Sequence, residues 1–399
     1  VDDPLFKGPS RTQCTHDECT KHAHTFLTAA AGVRTDDFSL APLVLNPLSW
    51  KSVFILSGGV ASFGVGSWVG DKSLFKAQLS RATAPRRNNS MGVLLLLLYS
   101  AITLPLFVID TARIAATPFA ISPDFFIAAR SAVVESLLEQ SRVYSSRIVS
   151  SAPLLAIFGC FVTLIEERSR WIRWGALLIA ACLGILTTGR VALLLFFSGW
   201  LTISLLERSD RSIVSVGRRL AYVVLAVALV FTLLTFLSKS ETQGKGKIAV
   251  ASELTIAYIA GPIAAFDYAV RNGNLFSGQM NNTFSDVMGP VLPAFGISYH
   301  PPPIVEPFVS VPIPVNVYTA FKPFYVDFGA FGCLVAFGTF GFMHGVLFRA
   351  ASRGFRPAVF LLAGISYALI FTPFTDAYHH LFHYVYLIIY CALYFLALA

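Results

Sequence analysis

VDFGAFGCLVAFGTFGFMHGVLF, residues 326–348, contains a single carboxylate, Asp327, and a single histidine, His344, in twenty-three positions. A bilayer core about 30 Å thick is crossed by ~20 mostly apolar helical residues, so this stretch has the length and composition of a membrane span. The same chemistry runs through the chain. Of its 399 residues 55% are hydrophobic and only 13% charged, and the mean hydropathy is +0.66. Soluble domains carry roughly 25% charge, and half of that cannot coat a globule of this size. The composition excludes a disordered chain, a secreted disulfide scaffold and an ordinary cytosolic enzyme. It predicts an all-α fold, a polytopic membrane helix bundle.

Outward from 326–348, similar runs predict nine spans, near 51–70, 91–110, 148–165, 172–189, 191–206, 219–238, 326–348, 357–375 and 381–399. Segment 251–270 is also apolar, but Glu253, Asp267 and the Gly261-Pro262 break predict a helix that lies at the interface or re-enters the membrane. The net charge of +8 does not indicate nucleic acid, because the basic residues fall in short clusters between apolar runs. Fifteen Lys and Arg lie in four short connections: Lys72 to Arg87, Arg168 to Arg173, Arg208 to Arg219, and Arg349 to Arg356. The opposite side holds ten in much longer connections. An excess of Lys and Arg in short loops marks the cytoplasmic side, so the first set is cytoplasmic and the N-terminus external. The chain then divides into a polar tail (1–50), a first helix group (51–238), a large external loop (239–325) and a second helix group (326–399). In the tail, Cys14, His16, Cys19, His22 and His24 match no standard zinc spacing, and the tail reads as floppy.

The polar chemistry gathers in the external connections. One, 111–147, is predicted to be an amphipathic helical stretch carrying Arg130, Glu135, Glu139, Arg142 and Arg147. The other, 239–325, contains ten prolines and, from Tyr258 onward, twelve aromatic residues. A connection that long inside a compact protein is expected to fold and to carry function. Aromatic faces beside amide and hydroxyl donors suit sugar rings, although each ring serves equally well as apolar cover for the bundle.

Two patterns stand out. In Thr187-Thr188-Gly189-Arg190 a tight turn leaves Arg190 between two helix ends at the membrane boundary. There the planar guanidinium can meet a lipid-linked phosphate with two parallel hydrogen bonds, or snorkel to head groups. The second pattern, Asn316-Val317-Tyr318-Thr319-Ala320-Phe321-Lys322-Pro323-Phe324-Tyr325-Val326-Asp327-Phe328-Gly329, closes the long loop and enters the seventh span. Asp327 reads either as a cap at a helix N-terminus or as a carboxylate that orients or deprotonates an acceptor hydroxyl.

This N-x-Y-T-x-x-x-P-x-Y-x-D-F-G run resembles the motif that ends the large periplasmic loop of bacterial oligosaccharide repeat-unit polymerases, the O-antigen polymerase family. The T-G-R element at Arg190 and the Tyr258-x-x-Gly261-Pro262 element are similar to family patterns at matching places. Asp37-Phe38-Ser39 with Asn46-Pro47 resembles the segment ahead of an early span. Family members commonly have a further helix before that segment, where this sequence has the polar stretch 1–35.

The resemblance implies a glycosyltransferase in the bacterial inner membrane. Such an enzyme moves a growing glycan from undecaprenyl diphosphate onto a newly flipped repeat unit, on the periplasmic face. It implies substrate oligosaccharides linked to undecaprenyl diphosphate, a flippase and a separate chain-length regulator as partners, and no soluble cofactor. Departing negative charge needs cations, and the acceptor hydroxyl needs a base or tight positioning. Arg190, Arg271 and Lys322 are the expected cations, with Arg142 and Arg147 in reserve. Asp327, His300 and Asp267 are the candidates on the acceptor side, and Tyr258, Asn316, Tyr318 and Tyr325 the expected sugar contacts. His300 serves equally well as an exposed loop residue.

Two alternatives remain at this point. An O-antigen ligase would share the external Arg-rich site. A lipid or small-anion transporter would require internal repeats and polar residues at mid-membrane, which the spans do not show. No metal is expected: His379, His380 and His383 place only two rings on one helical face and have no partner carboxylate at ligand spacing.

Overall fold

The computed structural model describes residues 48–73, 90–120, 122–138, 147–167, 169–187, 190–206, 221, 260–273, 282–298, 309–311, 314–372 and 381–397. The expected spans at 51–70, 91–110, 148–165 and 326–348 appear as α1 (Trp50–Ser73), α2 (Ser90–Ile114), α4 (Arg147–Glu166) and α9 (Lys322–Ser352). Among the described residues these four are long and apolar enough to cross a membrane. The other described helices are α3 (Pro123–Leu138), α5 (Arg170–Leu186), α6 (Arg190–Leu206), α7 (helical over 260–271), α8 (Ser285–Ala294), α10 (Arg356–Phe371) and α11 (Leu381–Ala397). A two-residue antiparallel pair, β1 (Val309–Ser310) and β2 (Pro314–Val315), completes the described elements. The expected span at 219–238 lies outside the described residues except Ala221, as does the tail with its Cys and His cluster.

The helices form where the sequence is apolar on all sides, and their hydroxyls turn back onto their own backbone. Thr111 Oγ1 donates to the Phe107 carbonyl at 2.7 Å, Thr163 to Gly159 at 2.7 Å, and Thr372 to Ala368 at 2.8 Å. In an environment without water, such bonds are how a hydroxyl avoids an unmet polar group. The core centres on α4, whose Ile157, Phe158 and Phe161 are fully buried. Phe158 meets Phe360 of α10 and Tyr390 of α11. Between α6 and α10 the Thr202 hydroxyl donates to Ser366 Oγ at 2.8 Å.

The tightest pair is α1 with α9, held together by glycine. A methyl group at Gly66 would collide with the Gly338 carbonyl, one at Gly341 with the Phe63 carbonyl, and one at Gly345 with the Ser67 carbonyl. Without Cβ atoms the two backbones touch directly, the packing that small residues permit between apolar helices. The contacts advance together along both helices, so α1 and α9 run parallel. At their far ends Arg349 approaches Asp71 (3.8 Å), and Arg356 at the start of α10 pairs with Glu166 at the end of α4 (2.7 Å). One end of the bundle therefore collects Asp71, Glu166, Arg349 and Arg356. The other collects Ser49, α7, the 282–284 turn and the start of α9.

Two expectations change in detail. The amphipathic stretch expected over 111–147 opens differently: α2 runs on to Ile114, α3 buries Phe125, Phe126 and Ala129 and leaves Arg130 half-buried, and 139–146 lie outside the described residues. The seventh span begins earlier than Val326, because Pro323, its φ already set, starts the helix at Lys322. Asp327 therefore follows the first turn of α9 and lies just ahead of its break, with its oxygens turned to Asn282 and Thr283. Two residues on, Gly329 breaks the helix with φ +66° and ψ −163°, a conformation open to glycine and strained for any residue with a Cβ.

Candidate functional site

Three segments distant in sequence meet at the Ser49 end: α7, the turn before α8, and the first turns of α9. Each brings part of a polar network, and an aromatic wall stands between its two halves.

The first half is built on Asp327. Its Oδ1 accepts from the Asn282 backbone N–H (3.1 Å) and from Asn282 Nδ2 (3.2 Å), and its Oδ2 accepts from the Thr283 N–H (2.7 Å). Asn282 faces both charges, because its Oδ1 accepts from Lys322 Nζ at 3.4 Å. The Lys322 ammonium also lies 5.9 Å from the centre of the buried Tyr318 ring. Lys322 is only 1% exposed, with Asn282 of the 282–284 turn among the groups against its ammonium. A buried ammonium is tolerable only with compensation; here one amide bridges it to a carboxylate five residues along the same helix. The buried hydroxyls of Thr283 and Thr319 have no hydrogen-bond partner among the described residues, so this cluster keeps polar capacity in reserve.

The second half is built on Asp267 of α7. Its Oδ1 accepts from Ser49 N (2.8 Å) and Ser49 Oγ (2.5 Å), and its Oδ2 from Arg271 Nε (2.8 Å). Burial alone would push this carboxyl up. The Ser49 and Ser52 hydroxyls, the Ser49 N–H and the Arg271 charge outweigh it and hold the group below its ordinary value. Asp267 thus fastens α7 to the start of α1. Arg271, one turn further, keeps 45% of its side chain exposed. Between the halves stand Phe266, Phe321 and Tyr325. Phe266 lies 5.7 Å from Tyr325, whose outer face is covered by Lys51 Nζ at 5.6 Å.

Of the residues singled out in the sequence, Lys322, Tyr318 and Asp327 come together, with Tyr325 beside them and Asn316 half-buried on the approach to α9. Arg271 and Asp267 form the neighbouring group. Arg190 is the first residue of α6 and Arg147 the first of α4, and of these two only the backbone is described. Arg142, Tyr258 and His300 lie outside the described residues. Sequence reasoning missed Asn282, Thr283, Ser49 and Ser52. Each is a small polar residue whose importance comes from a partner more than 40 positions away, and only Ser49, just ahead of an apolar helix, carried a local sign as a capping type.

The chain resembles an O-antigen polymerase. The O-antigen polymerase of Shigella dysenteriae is 26% identical to it over 194 residues, 48% of this chain and 48% of that protein. The chain thus matches about half the length of the curated relative. No family model matches the chain, and no solved structure matches it. The apolar helices and this similarity together indicate a multi-pass membrane protein similar over about half its length to an O-antigen polymerase.

Proposed function

We propose that this protein is a membrane glycosyltransferase that polymerises oligosaccharide repeat units carried on undecaprenyl diphosphate, on the periplasmic face of the bacterial inner membrane. The observation that carries the reading is the similarity to an O-antigen polymerase. The polar network at one end of an apolar bundle supports it, as does the motif from Asn316 to Gly329. In this reading the Ser49 end is periplasmic, the end with Asp71 and Arg349 is cytoplasmic, and nine crossings connect them. α6 ends on the cytoplasmic side and α9 starts on the other, so a further crossing between them, the expected 219–238 span, belongs to the same proposal.

The reaction breaks the bond from the donor's anomeric carbon to the phosphate oxygen and forms one to an acceptor hydroxyl oxygen. The hydroxyl proton leaves with a base, and the lipid diphosphate carries off the electron pair. Arg271, exposed beside the network, and Arg190, at the head of α6, are assigned to the diphosphate, with Arg142 and Arg147 in reserve. Lys322 lies behind the 282–284 turn, and we assign it to holding that turn in place. Asp327 and Asp267 are engaged by N–H and O–H donors, which leaves His300 as the residue we assign to the acceptor. Aromatic faces of the long loop are assigned to the sugars. A flippase and a chain-length regulator are the partners this activity would require.

The test is complementation of a strain deleted for this gene, with surface polysaccharide resolved on a gel and membrane expression measured in parallel. The wild-type protein should restore a ladder. Arg190→Ala and Arg271→Ala, expressed equally, should each leave single repeats or a sharply shortened ladder, as expected when donors to a departing charge are removed. A wild-type protein that leaves glycan length unchanged would overturn the reading.

A further inference from the structure

The segment 284–297 carries an apolar surface that the bundle does not cover. Phe284, Val291, Phe295 and Ile297 are all exposed, Phe295 at 77%. Between Ser285 and Ser298 the sequence has no basic residue and one acidic residue, Asp286. Contiguous exposed apolar surface of this kind marks an interaction face.

Its position says what covers it. The polar boundary at this end of the bundle is marked by Trp50, exposed at the start of α1, and by Lys51, which lies over Tyr325 of α9. Exposed Trp and Lys at a helix end are signatures of the membrane–water interface. Asp327, two residues past Tyr325, holds the turn from which α8 departs. α8 therefore leaves α9 at the level of that boundary. Phe284 packs on Phe328 with ring centres 6.4 Å apart. Phe328 is itself exposed just before the Gly329 break, and past the break the outward stripe of α9 begins with Phe331, 76% exposed, and Val335. In a membrane span that stripe faces acyl chains, and the face of 284–297 is continuous with it.

We propose that the 284–297 segment is seated in the bilayer, with Phe284, Val291, Phe295 and Ile297 among the acyl chains of the leaflet at the N-terminal end of α9. The segment lies on the membrane and does not cross it, because its ten-residue helix is about half the length a crossing needs. The inference rests on the membrane reading of α9 but not on the glycosyltransferase reading. Its consequence is that the turn holding Asp327, Asn282 and Lys322 lies level with the head groups, where a lipid-borne phosphate would also lie.

The test uses the wild-type protein reconstituted in nanodiscs of phosphatidylethanolamine and phosphatidylglycerol. A trace of phospholipid carries a diazirine on its acyl chain, close to the glycerol in one preparation and near the chain end in another. After illumination, adducts are mapped by mass spectrometry, with Phe331 as the internal standard for a lipid-facing residue. The expected result is labelling within 284–297 to at least a third of the Phe331 level, stronger from the shallow diazirine than from the deep one. In Phe295→Asn/Ile297→Asn that labelling should fall severalfold while the Phe331 adduct is unchanged. Adducts at Phe331 with none in 284–297 would overturn the proposal, since water or protein would then cover that face. Loss of both would overturn the membrane reading of α9 along with it.

Discussion

At the residue scale the decisive position is Asn282, which stands between two charges. Its amide oxygen accepts from Lys322 while its amide nitrogen and backbone N–H donate to Asp327. Replacing it with Ala removes the oxygen from a buried ammonium and one donor from the carboxylate. Asn282→Ala should destabilise the detergent-solubilised protein by about 1–3 kcal/mol, the range for leaving buried polar groups unmet. Chemical-denaturation curves followed by monodisperse elution would show it. Asp267 makes a different prediction, in pH. Its folded-state carboxyl is held below the ordinary value, so its contribution is fully present above the ordinary aspartate range and is lost as pH falls through the lower native value. The wild-type protein should therefore lose stability on acidification through that window. Asp267→Asn should be less stable near neutrality and show a flatter acid limb in melting curves taken across pH.

At the element scale the α1–α9 pair depends on missing side chains. Gly341 and Gly345 press on the carbonyls of Phe63 and Ser67. Gly341→Ala or Gly345→Ala should cost about 1–3 kcal/mol or more, because a backbone cannot yield as a side-chain tip can. Gly64, in the same helix pair, has open space where a methyl would go, with nothing within 4 Å. Gly64→Ala should be neutral or stabilise by up to ~1 kcal/mol through helix propensity. Thermal melting of the three variants side by side checks both signs, and equal effects would contradict the packing. Gly329 plays a third role. Its positive φ breaks α9 and separates the turns that carry Lys322 and Asp327 from the part that lies in the apolar bundle. These three uses of glycine were not separable in the sequence, where FGVG (63–66), FGAFG (328–332) and FGTFG (337–341) all look alike as small residues among apolar ones.

At the scale of the whole molecule the two ends differ in kind. One end gathers Asp71, Glu166, Arg349 and Arg356, and the other the Asp267 and Asp327 networks. In whole cells, a membrane-impermeant maleimide should label Asn272→Cys directly and Ser352→Cys only after permeabilisation, each measured above the wild-type background. The reverse pattern would invert the proposed orientation. Much of this arrangement was legible in the sequence. Length and hydropathy of single runs decide that helices form and where, because a helix meets its own backbone hydrogen bonds and needs no partner to survive in lipid. So the helical class and the starts of α1, α2 and α4 followed from local pattern, and so did the choice of Lys322, Tyr318 and Asp327 as residues to locate. What each of those side chains touches was decided only by tertiary structure. In the sequence Asp327 reads as a cap or a base; the fold adds that both its oxygens accept from the turn at Asn282. Lys322 reads as an external cation, and the fold buries it against Asn282 and Tyr318. The reason is physical: hydropathy and helix formation are sums over neighbours in the chain, whereas a charge takes its role from whatever the fold places within about 4 Å of it, here a partner 40 or more residues away.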